Sequence, residues 1–154
     1  MGKTRAAKVD VPALHEAVDV RLATAGQRYT EGRRRLVETL AAGARPLTMY
    51  DILRHVPEMP QSSAYRHLTV LASGGVVRRL AGSDDNGLFE LTEELSGHHH
   101  HHVICQRCGA VVDIASTPAL ERALTEAAAI AAADTGFLLD GHRMDLTGTC
   151  PGCA

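Results

Sequence analysis

Apolar residues in the first half of the chain recur at helical spacing, which predicts four helices. In the first of them, Leu14, Val18 and Leu22 lie on one face, and Gly26 ends the pattern. The second helix is expected to begin near Thr30 and to turn apolar side chains inward before it ends at a glycine. The third helix is expected over residues 48–56, and the fourth ends before a pair of glycines.

Cap residues indicate where the third and fourth helices begin. Thr48 followed by Asp51 resembles a capping box, and Pro57 ends that helix. Ser62 or Ser63 is the expected N-cap of the fourth helix. Its apolar face is formed by Ala64, Leu68 and Leu71.

In the middle of the chain the apolar period changes from that of helices to that of strands. Residues 76–80 and 88–91 flank a turn that ends in Asn86-Gly87, a pair typical of a β-hairpin. Helices followed by such a hairpin predict a winged helix-turn-helix domain, which we place at residues 10–92. The flanking segments are expected to be a basic arm at 1–9 and a hinge at 93–97.

The last third of the chain has the pattern of a small domain of strands and one helix. Thr117-Pro118 places a cap and a first-turn proline before an Ala-rich helix that ends at Gly136. Strands are expected at 98–105, 110–114 and 137–146. The predicted fold class is therefore α+β, with an N-terminal winged helix-turn-helix domain and a small α/β dimerisation domain over 98–154.

Composition and charge divide this chain of 154 residues into two contrasting halves. Residues 1–82 hold 13 Lys and Arg against 7 Asp and Glu, a net charge of +6; residues 83–154 hold 3 against 11, a net charge of −8. A basic half favours an anionic partner, and an acidic half rich in histidine favours cations. Chance clustering on solvated faces is the alternative. With neither an apolar run of the roughly 20 residues that span a bilayer nor a signal-peptide pattern, a cytoplasmic location is expected.

All four cysteines occur in two Cys-x-x-Cys pairs, Cys105 with Cys108 and Cys150 with Cys153. Two thiolates three residues apart can bind one tetrahedral ion, and Gly109 permits the tight turn that such a knuckle needs. Four sulfur ligands and no open position predict a structural Zn²⁺ site that stabilises the small domain. Four unrelated buried cysteines are the alternative.

Five consecutive histidines, His98 to His102, lead into the first cysteine pair. Successive side chains of a strand point to opposite faces, so His100 and His102 would share one face while His99 and His101 share the other. Because neutral imidazole is the commonest metal ligand, one strand of this kind can serve two metal sites. A solvated polar edge strand is the alternative.

The fourth helix carries groups suited to DNA contact. Ser62 and Ser63 place hydroxyl groups at its N-terminus, where phosphate groups bind readily. Tyr65, Arg66 and His67 are expected to be exposed opposite the apolar face and to reach bases in a major groove. Taken alone, the same residues also fit an ordinary surface helix.

Together these features resemble the ferric uptake regulator family of bacterial metalloregulators, over nearly the whole chain. The segments that carry the resemblance are Ser63-Ala64-Tyr65-Arg66-His67-Leu68, Phe89-Glu90-Leu91-Thr92, the stretch from His99 to Gly109, and His142 eight residues before Cys150. Members of the family are homodimers that bind palindromic operator DNA when metallated. The resemblance therefore implies a repressor of metal-ion homeostasis genes, with iron or zinc uptake expected first.

The resemblance also implies roles for individual residues. The structural zinc would be held by Cys105, Cys108, Cys150 and Cys153. The regulatory metal, Fe²⁺ or Zn²⁺ with Mn²⁺ or Ni²⁺ as further options, would be held by Glu90, His100 and His102. A second metal site would consist of His99, His101, Glu121 and His142. Arg45-Pro46 stands where the family's iron sensors have a histidine, and the extra cysteine of its zinc sensors has no counterpart here.

Two other classes of function are compatible with the metal ligands alone. A zinc hydrolase or deaminase needs an open coordination position, and the deaminase signature needs His-x-Glu and a proline before the cysteine pair. The chain has no His-x-Glu, and Thr149 precedes Cys150. A metal store or chaperone would leave the winged-helix half unexplained. We therefore expect no enzymatic activity, small-molecule substrate or membrane partner.

Overall fold

The computed structural model describes residues 10–43, 45–80, 87–97 and 99–154. The chain divides into two units, Met1–His98 and His99–Ala154. The predicted basic arm, Asn86 of the predicted turn, and His98 lie outside the described residues. No helix in the described part of the chain is both long and apolar enough to cross a membrane.

Helices and a small sheet make up the first unit. The helices are α1 (Val11–Thr24), α2 (Glu31–Ala42), α3 (Met49–His55), α4 (Gln61–Ser73) and the short α5 (Glu93–Ser96). The strands are β1 (Leu47–Thr48), β2 (Val77–Leu80) and β3 (Leu88–Leu91). They form an antiparallel sheet in the order β1-β3-β2, so the predicted hairpin strands pair with each other and β3 lies at the centre.

One apolar core joins the helices of the first unit, and side-chain caps mark the starts of α1 and α3. Thr48 and Asp51 form the predicted capping box of α3: the Asp51 backbone N–H donates to the Thr48 hydroxyl at 3.0 Å, and the Thr48 N–H donates to the Asp51 carboxylate at 3.1 Å. The predicted inward faces are confirmed, because all of their large apolar side chains are buried. These side chains are Leu14, Val18, Leu22, Leu36, Val37, Leu40, Leu68 and Leu71.

Three details of the first unit differ from the sequence prediction. The N-cap of α4 is Pro60, so Ser62 and Ser63 lie within the first turn and the prediction that one of them caps the helix is wrong. The strand β1 is two residues long and was not predicted. The expected hinge segment contains the helical turn α5, which ends at Gly97 in the left-handed conformation.

The second unit combines one sheet with one long helix. Its elements are β4 (His100–Cys105), β5 (Val111–Ala115), α6 (Pro118–Thr135) and β6 (Asp145–Gly148). In the sheet order β5-β4-β6, the central β4 is antiparallel to β5 and parallel to β6. The hydroxyl of Thr117 caps α6 by accepting from the Leu120 N–H at 3.3 Å, as the sequence predicts.

The predicted strand over 137–146 is wrong for most of its length. Residues 137–144 have no regular secondary structure, and the strand β6 spans only Asp145–Gly148. Phe137, Leu138 and Leu139 are exposed. Their apolar pattern therefore does not mark a strand packed inside this chain.

Candidate metal centres and recognition helix

The four cysteines meet at one end of the second sheet. Cys105 is the last residue of β4, and the parallel pairing of β4 with β6 brings the second cysteine pair alongside it. All four sulfur atoms lie within 4.8 Å of one another, and those of Cys108 and Cys150 are 3.7 Å apart. Zn–S bonds of about 2.3 Å in a tetrahedron place sulfur atoms about 3.8 Å apart, so the donor set fits zinc.

Backbone groups and neighbouring thiols perturb the ionisation of this cluster. The backbone N–H of Cys150 donates to the Cys105 sulfur at 3.3 Å, and with the Cys108 N–H it lowers the pKa of Cys105 to about 6. Contacts with the thiols of Cys150 and Cys108 raise the pKa of Cys153 to about 12. Four thiolates at one point repel one another unless a cation lies between them. A bound structural metal would neutralise this repulsion.

The turn of the first knuckle depends on a glycine, as the sequence predicts. Gly109 has a φ of +71°, and its N–H donates to the Cys105 carbonyl at 2.9 Å. This left-handed conformation is accessible to glycine at little cost, and it closes the loop that carries Cys108.

A second cluster forms around Glu121, on α6. Its ligand atoms come from His99, His101, Glu121 and His142, and all lie within 4.8 Å of one another. One carboxylate oxygen of Glu121 is 3.1 Å from Nε2 of both His99 and His142, and the other is 2.9 Å from Nε2 of His101. The structure therefore assembles the four residues that the family resemblance assigns to the second metal site.

The donors of this cluster fit a divalent metal ion. A hydrogen bond from Ser116 and contact with His101 lower the pKa of Glu121 to about 2, which keeps it a carboxylate. The buried Nε2 of His142 lies near that carboxylate without the geometry of a hydrogen bond. Three imidazoles and one carboxylate around a point are a ligand set for transition metals such as zinc or iron.

The opposite face of β4 carries His100 and His102, whose ring centroids are 4.9 Å apart. Two aspartates that sequence reasoning missed lie beside His102. Asp113 is its register partner on β5, and Asp145 is its partner on β6. Nε2 of His102 is 3.7 Å from the Asp113 carboxylate, and Nδ1 is 3.1 Å from that of Asp145. Asp113 is thus a candidate further ligand on this face.

Glu90, the remaining predicted ligand of the regulatory site, belongs to the first unit. It lies on β3 and is largely buried, paired with Arg78 on the adjacent strand β2. Arg78 also contacts Glu93 at 3.3 Å. The guanidinium of Arg45 is 3.1 Å from the Asp51 carboxylate. Because Glu90 and the two histidines belong to separate units, their shared site remains a prediction.

The predicted DNA-contact residues lie on the first two turns of α4. Ser62 and Arg66 are exposed, whereas Ser63, Tyr65 and His67 are partly buried. The expectation that Tyr65, Arg66 and His67 are all exposed is therefore wrong for two of them. Tyr65 packs against the core.

His67 packs against Gly32 of α2. A β-carbon at Gly32 would lie 2.9 Å from Nε2 of His67, so the glycine makes room for the ring. Burial and the nearby charges of Arg33 and Arg66 lower the pKa of His67, which keeps the imidazole neutral near pH 7. The guanidiniums of Arg33 and Arg66 are charged neighbours of this ring.

A winged-helix unit joined in one chain to thiolate and imidazole–carboxylate clusters is the architecture of a metal-binding transcriptional regulator. Residues 24–147 match the model of the Ferric uptake regulator family. The chain belongs to that family, and it is accordingly a metal-responsive transcriptional regulator rather than an enzyme.

Two curated relatives illustrate the similarity. The chain is 30% identical over 145 residues to the Peroxide operon regulator of Bacillus subtilis, covering 92% of this chain and 93% of that protein. It is 31% identical over 137 residues to the Transcriptional regulator FurA of Mycobacterium bovis, covering 86% of this chain and 87% of that protein.

Solved structures of the same family share the fold. The ferric uptake regulator of Helicobacter pylori, described as having three functional metal-binding sites, superimposes with a TM-score of 0.74 over 95% of both chains at 21% identity. The ferric uptake regulator of Vibrio cholerae gives a TM-score of 0.65 at 25% identity, covering 86% of this chain and 98% of that one.

Proposed function

We propose that the protein is a repressor that binds palindromic operator DNA as a metallated homodimer. It would control genes of metal-ion homeostasis, with iron or zinc uptake the foremost candidates. The observation that carries this proposal is the strand β4, whose histidines divide between two faces and meet carboxylates on each. A strand that carries two such clusters in a DNA-binding family is suited to sensing a metal ion.

The cysteine cluster would hold a structural Zn²⁺ that never leaves during regulation. Its ligands are all thiolates, so the site is closed and offers no position for exchange with a substrate. Loss of this ion would therefore affect folding of the second unit rather than the response to metal.

The regulatory ion would be held by Glu90 of the first unit and by His100 and His102 of the second, with Asp113 as a further ligand. Coordination by residues of both units would restrict their relative motion and give the two recognition helices of a dimer a fixed spacing. The ion can shift this equilibrium only by binding the restricted state better. A shift from 1:99 to 99:1 requires about 5.5 kcal/mol of differential affinity.

Dimerisation would occur through residues 98–154. Leu138 is 95% exposed and Phe137 is 68% exposed, and α6 buries none of its side chains in the described structure. Exposed apolar side chains so close together favour burial against a second copy of the chain.

The substitution Leu138→Lys should weaken the dimer by about 2 kcal/mol, whereas Val20→Lys on α1 should not. A zinc-loaded wild-type monomer at micromolar concentration in sedimentation would contradict the proposal.

The regulatory donors are nitrogen and oxygen atoms, which suit Fe²⁺ or Zn²⁺ and also Mn²⁺ or Ni²⁺. The identity of the ion can be tested by titrating operator binding with each metal, buffered at the free concentrations of the cytoplasm, where the protein would act. One or two metals should induce specific binding. If no metal does so, the protein is a metal store or chaperone instead.

Response to peroxide is a second candidate function. It is supported by similarity to the Peroxide operon regulator of Bacillus subtilis and by the carboxylates beside His102. Hydrogen peroxide added to the iron-loaded protein should then abolish operator binding, and fresh metal should not restore it. Full recovery with fresh metal would favour a metal sensor without peroxide chemistry.

A further inference from the structure

We propose that Asp145 is a positioning residue of the regulatory metal site, which fixes His102 in the tautomer that presents Nε2 to the ion. The inference rests on the proposed role of His102 as a ligand of that site. It concerns a residue that is neither in the cysteine cluster nor in the cluster around Glu121.

The sheet places Asp145 beside His102. The two residues are register partners in the parallel pairing of β4 with β6, so their side chains lie on the same face. The Asp145 carboxylate is 3.1 Å from Nδ1 of His102. Only 1% of the His102 side chain is exposed, so the ring cannot turn out into solvent while the sheet is intact.

The hydrogen bond to Asp145 determines which nitrogen of His102 carries the proton. An ionised carboxylate only accepts hydrogen bonds, so Nδ1 of His102 must carry the proton that it donates to Asp145. The lone pair of the neutral ring is then on Nε2, the nitrogen that faces Asp113 at 3.7 Å. Ligands at about 2.0–2.2 Å from one ion lie at most about 4 Å apart, so Nε2 and Asp113 can share an ion.

The other face of β4 provides a contrast within the same strand. There the carboxylate of Glu121 contacts Nε2 of both His99 and His101, so carboxylate and imidazole nitrogens converge on one point as ligands do. Asp145 instead contacts Nδ1, the nitrogen on the opposite side of the His102 ring. Glu121 therefore has the geometry of a ligand, and Asp145 has that of a group that orients a ligand.

The first test is the affinity for Co²⁺, whose visible spectrum reports coordination. It is measured by chelator competition on the full-length, zinc-loaded protein in a His142→Ala background, which removes one ligand of the cluster around Glu121. Asp145→Ala should lower the affinity for Co²⁺ about 10- to 100-fold. Loss of a residue that hydrogen-bonds to a metal ligand usually has an effect of this size. Asp145→Asn should lose less Co²⁺ affinity than Asp145→Ala, because its amide oxygen still accepts from Nδ1. Asp145→Glu should also bind Co²⁺ more tightly than Asp145→Ala. Asp140→Ala removes an exposed carboxylate of the same unit and should have no effect.

The second test observes the tautomer itself, by long-range ¹H–¹⁵N correlation NMR without the regulatory ion. Wild-type His102 should carry its proton on Nδ1, and Asp145→Ala should give a mixture of tautomers. Unchanged Co²⁺ affinity in both Asp145→Ala and Asp145→Asn would overturn the inference. So would reduced affinity with an unchanged tautomer, because Asp145 would then be a ligand or a purely structural residue.

His102→Ala separates this inference from the proposed function. If His102→Ala keeps wild-type Co²⁺ affinity, His102 is not a ligand and both fail. If His102→Ala loses Co²⁺ while the Asp145 variants keep it, only the positioning role fails. In the His102→Ala background, Asp145→Ala should cause no further loss, since the two residues act on the ion through one imidazole.

Discussion

The two units of this chain are stabilised in different ways. The first has a continuous apolar core to which every long helix contributes, including Leu22, Leu36 and Leu68 at 0–1% exposure. Among the described residues of the second unit, the buried apolar side chains are only Ile104 and Val111, besides the cluster residue Cys105. Two of its most buried side chains are instead histidines, His101 and His102.

The two units therefore have different sources of stability. Burial of each large side chain in the first unit contributes about 1.5–3 kcal/mol, independently of any ion. The second unit has few buried apolar side chains, so we expect its folding to depend on the proposed structural zinc and on the proposed dimer contacts. Under the proposed function, the structural zinc stabilises this unit, whereas the regulatory ion binds at the separate site of His100 and His102.

The largest expected effect is that of Cys150→Ser. Removal of one thiolate forfeits much of a zinc-binding free energy that reaches about 10–16 kcal/mol in small zinc domains, so the second unit should unfold. NMR spectra should lose the signals of residues 99–154 and keep those of the first unit, and zinc content should fall. Retained zinc and an unchanged melting temperature would show that the cysteines do not form a structural site.

A smaller effect is expected from Leu22→Ala in the core of the first unit. Leu22 is completely buried, so the cavity should lower the free energy of unfolding of this unit by about 2–5 kcal/mol. Val20→Ala on the same helix, at 61% exposure, should change it by less than about 0.5 kcal/mol. Chemical denaturation followed by NMR measures both, and zinc content should be unchanged in both. Equal effects of the two variants would contradict the assignment of the core.

The smallest expected effect is that of Arg66→Ala on operator affinity. Loss of a bidentate contact with guanine should cost about 1–3 kcal/mol and relax specificity at one operator position. If Arg66 contacts phosphate instead, all sequences should bind more weakly and the salt dependence should decrease. Arg122→Ala, an exposed site on α6, is the control. Unaltered binding by Arg66→Ala would show that α4 is not the recognition helix.

Sequence patterns predicted the helices of the first unit well because their apolar spacing and capping signals agree. Thr48 and Asp51 identify the start of α3 by side chains that bond each other's backbone. The predicted start of α4 was wrong because the helix begins before both serines: the Pro60 carbonyl accepts from the Ala64 N–H at 3.0 Å, so Ser62 and Ser63 are already helical. The strand β1 has two residues and exists only through its pairing with β3.

The missed site residues depend on register, which a sequence does not reveal. Alternation along the histidine run that leads into β4 separates His99 and His101 from His100 and His102, and the structure bears out that separation. Asp113 and Asp145 meet His102 only because two other strands align with β4 at that position. The apolar run at 137–139 predicts a strand that the structure does not form, since an apolar pattern does not distinguish burial within the chain from burial against another copy.

The measurement that tests the account most directly compares His102→Ala with His99→Ala in metal-dependent operator binding, by fluorescence anisotropy. Both variants should remain folded dimers with one structural zinc per chain. His102→Ala should abolish the response of operator binding to metal, because His102 belongs to the face proposed to hold the regulatory ion. His99→Ala should retain most of the response, because His99 lies in the cluster around Glu121. If His99→Ala abolishes operator binding and His102→Ala stays metal-responsive, the assignment of the two faces of β4 is reversed.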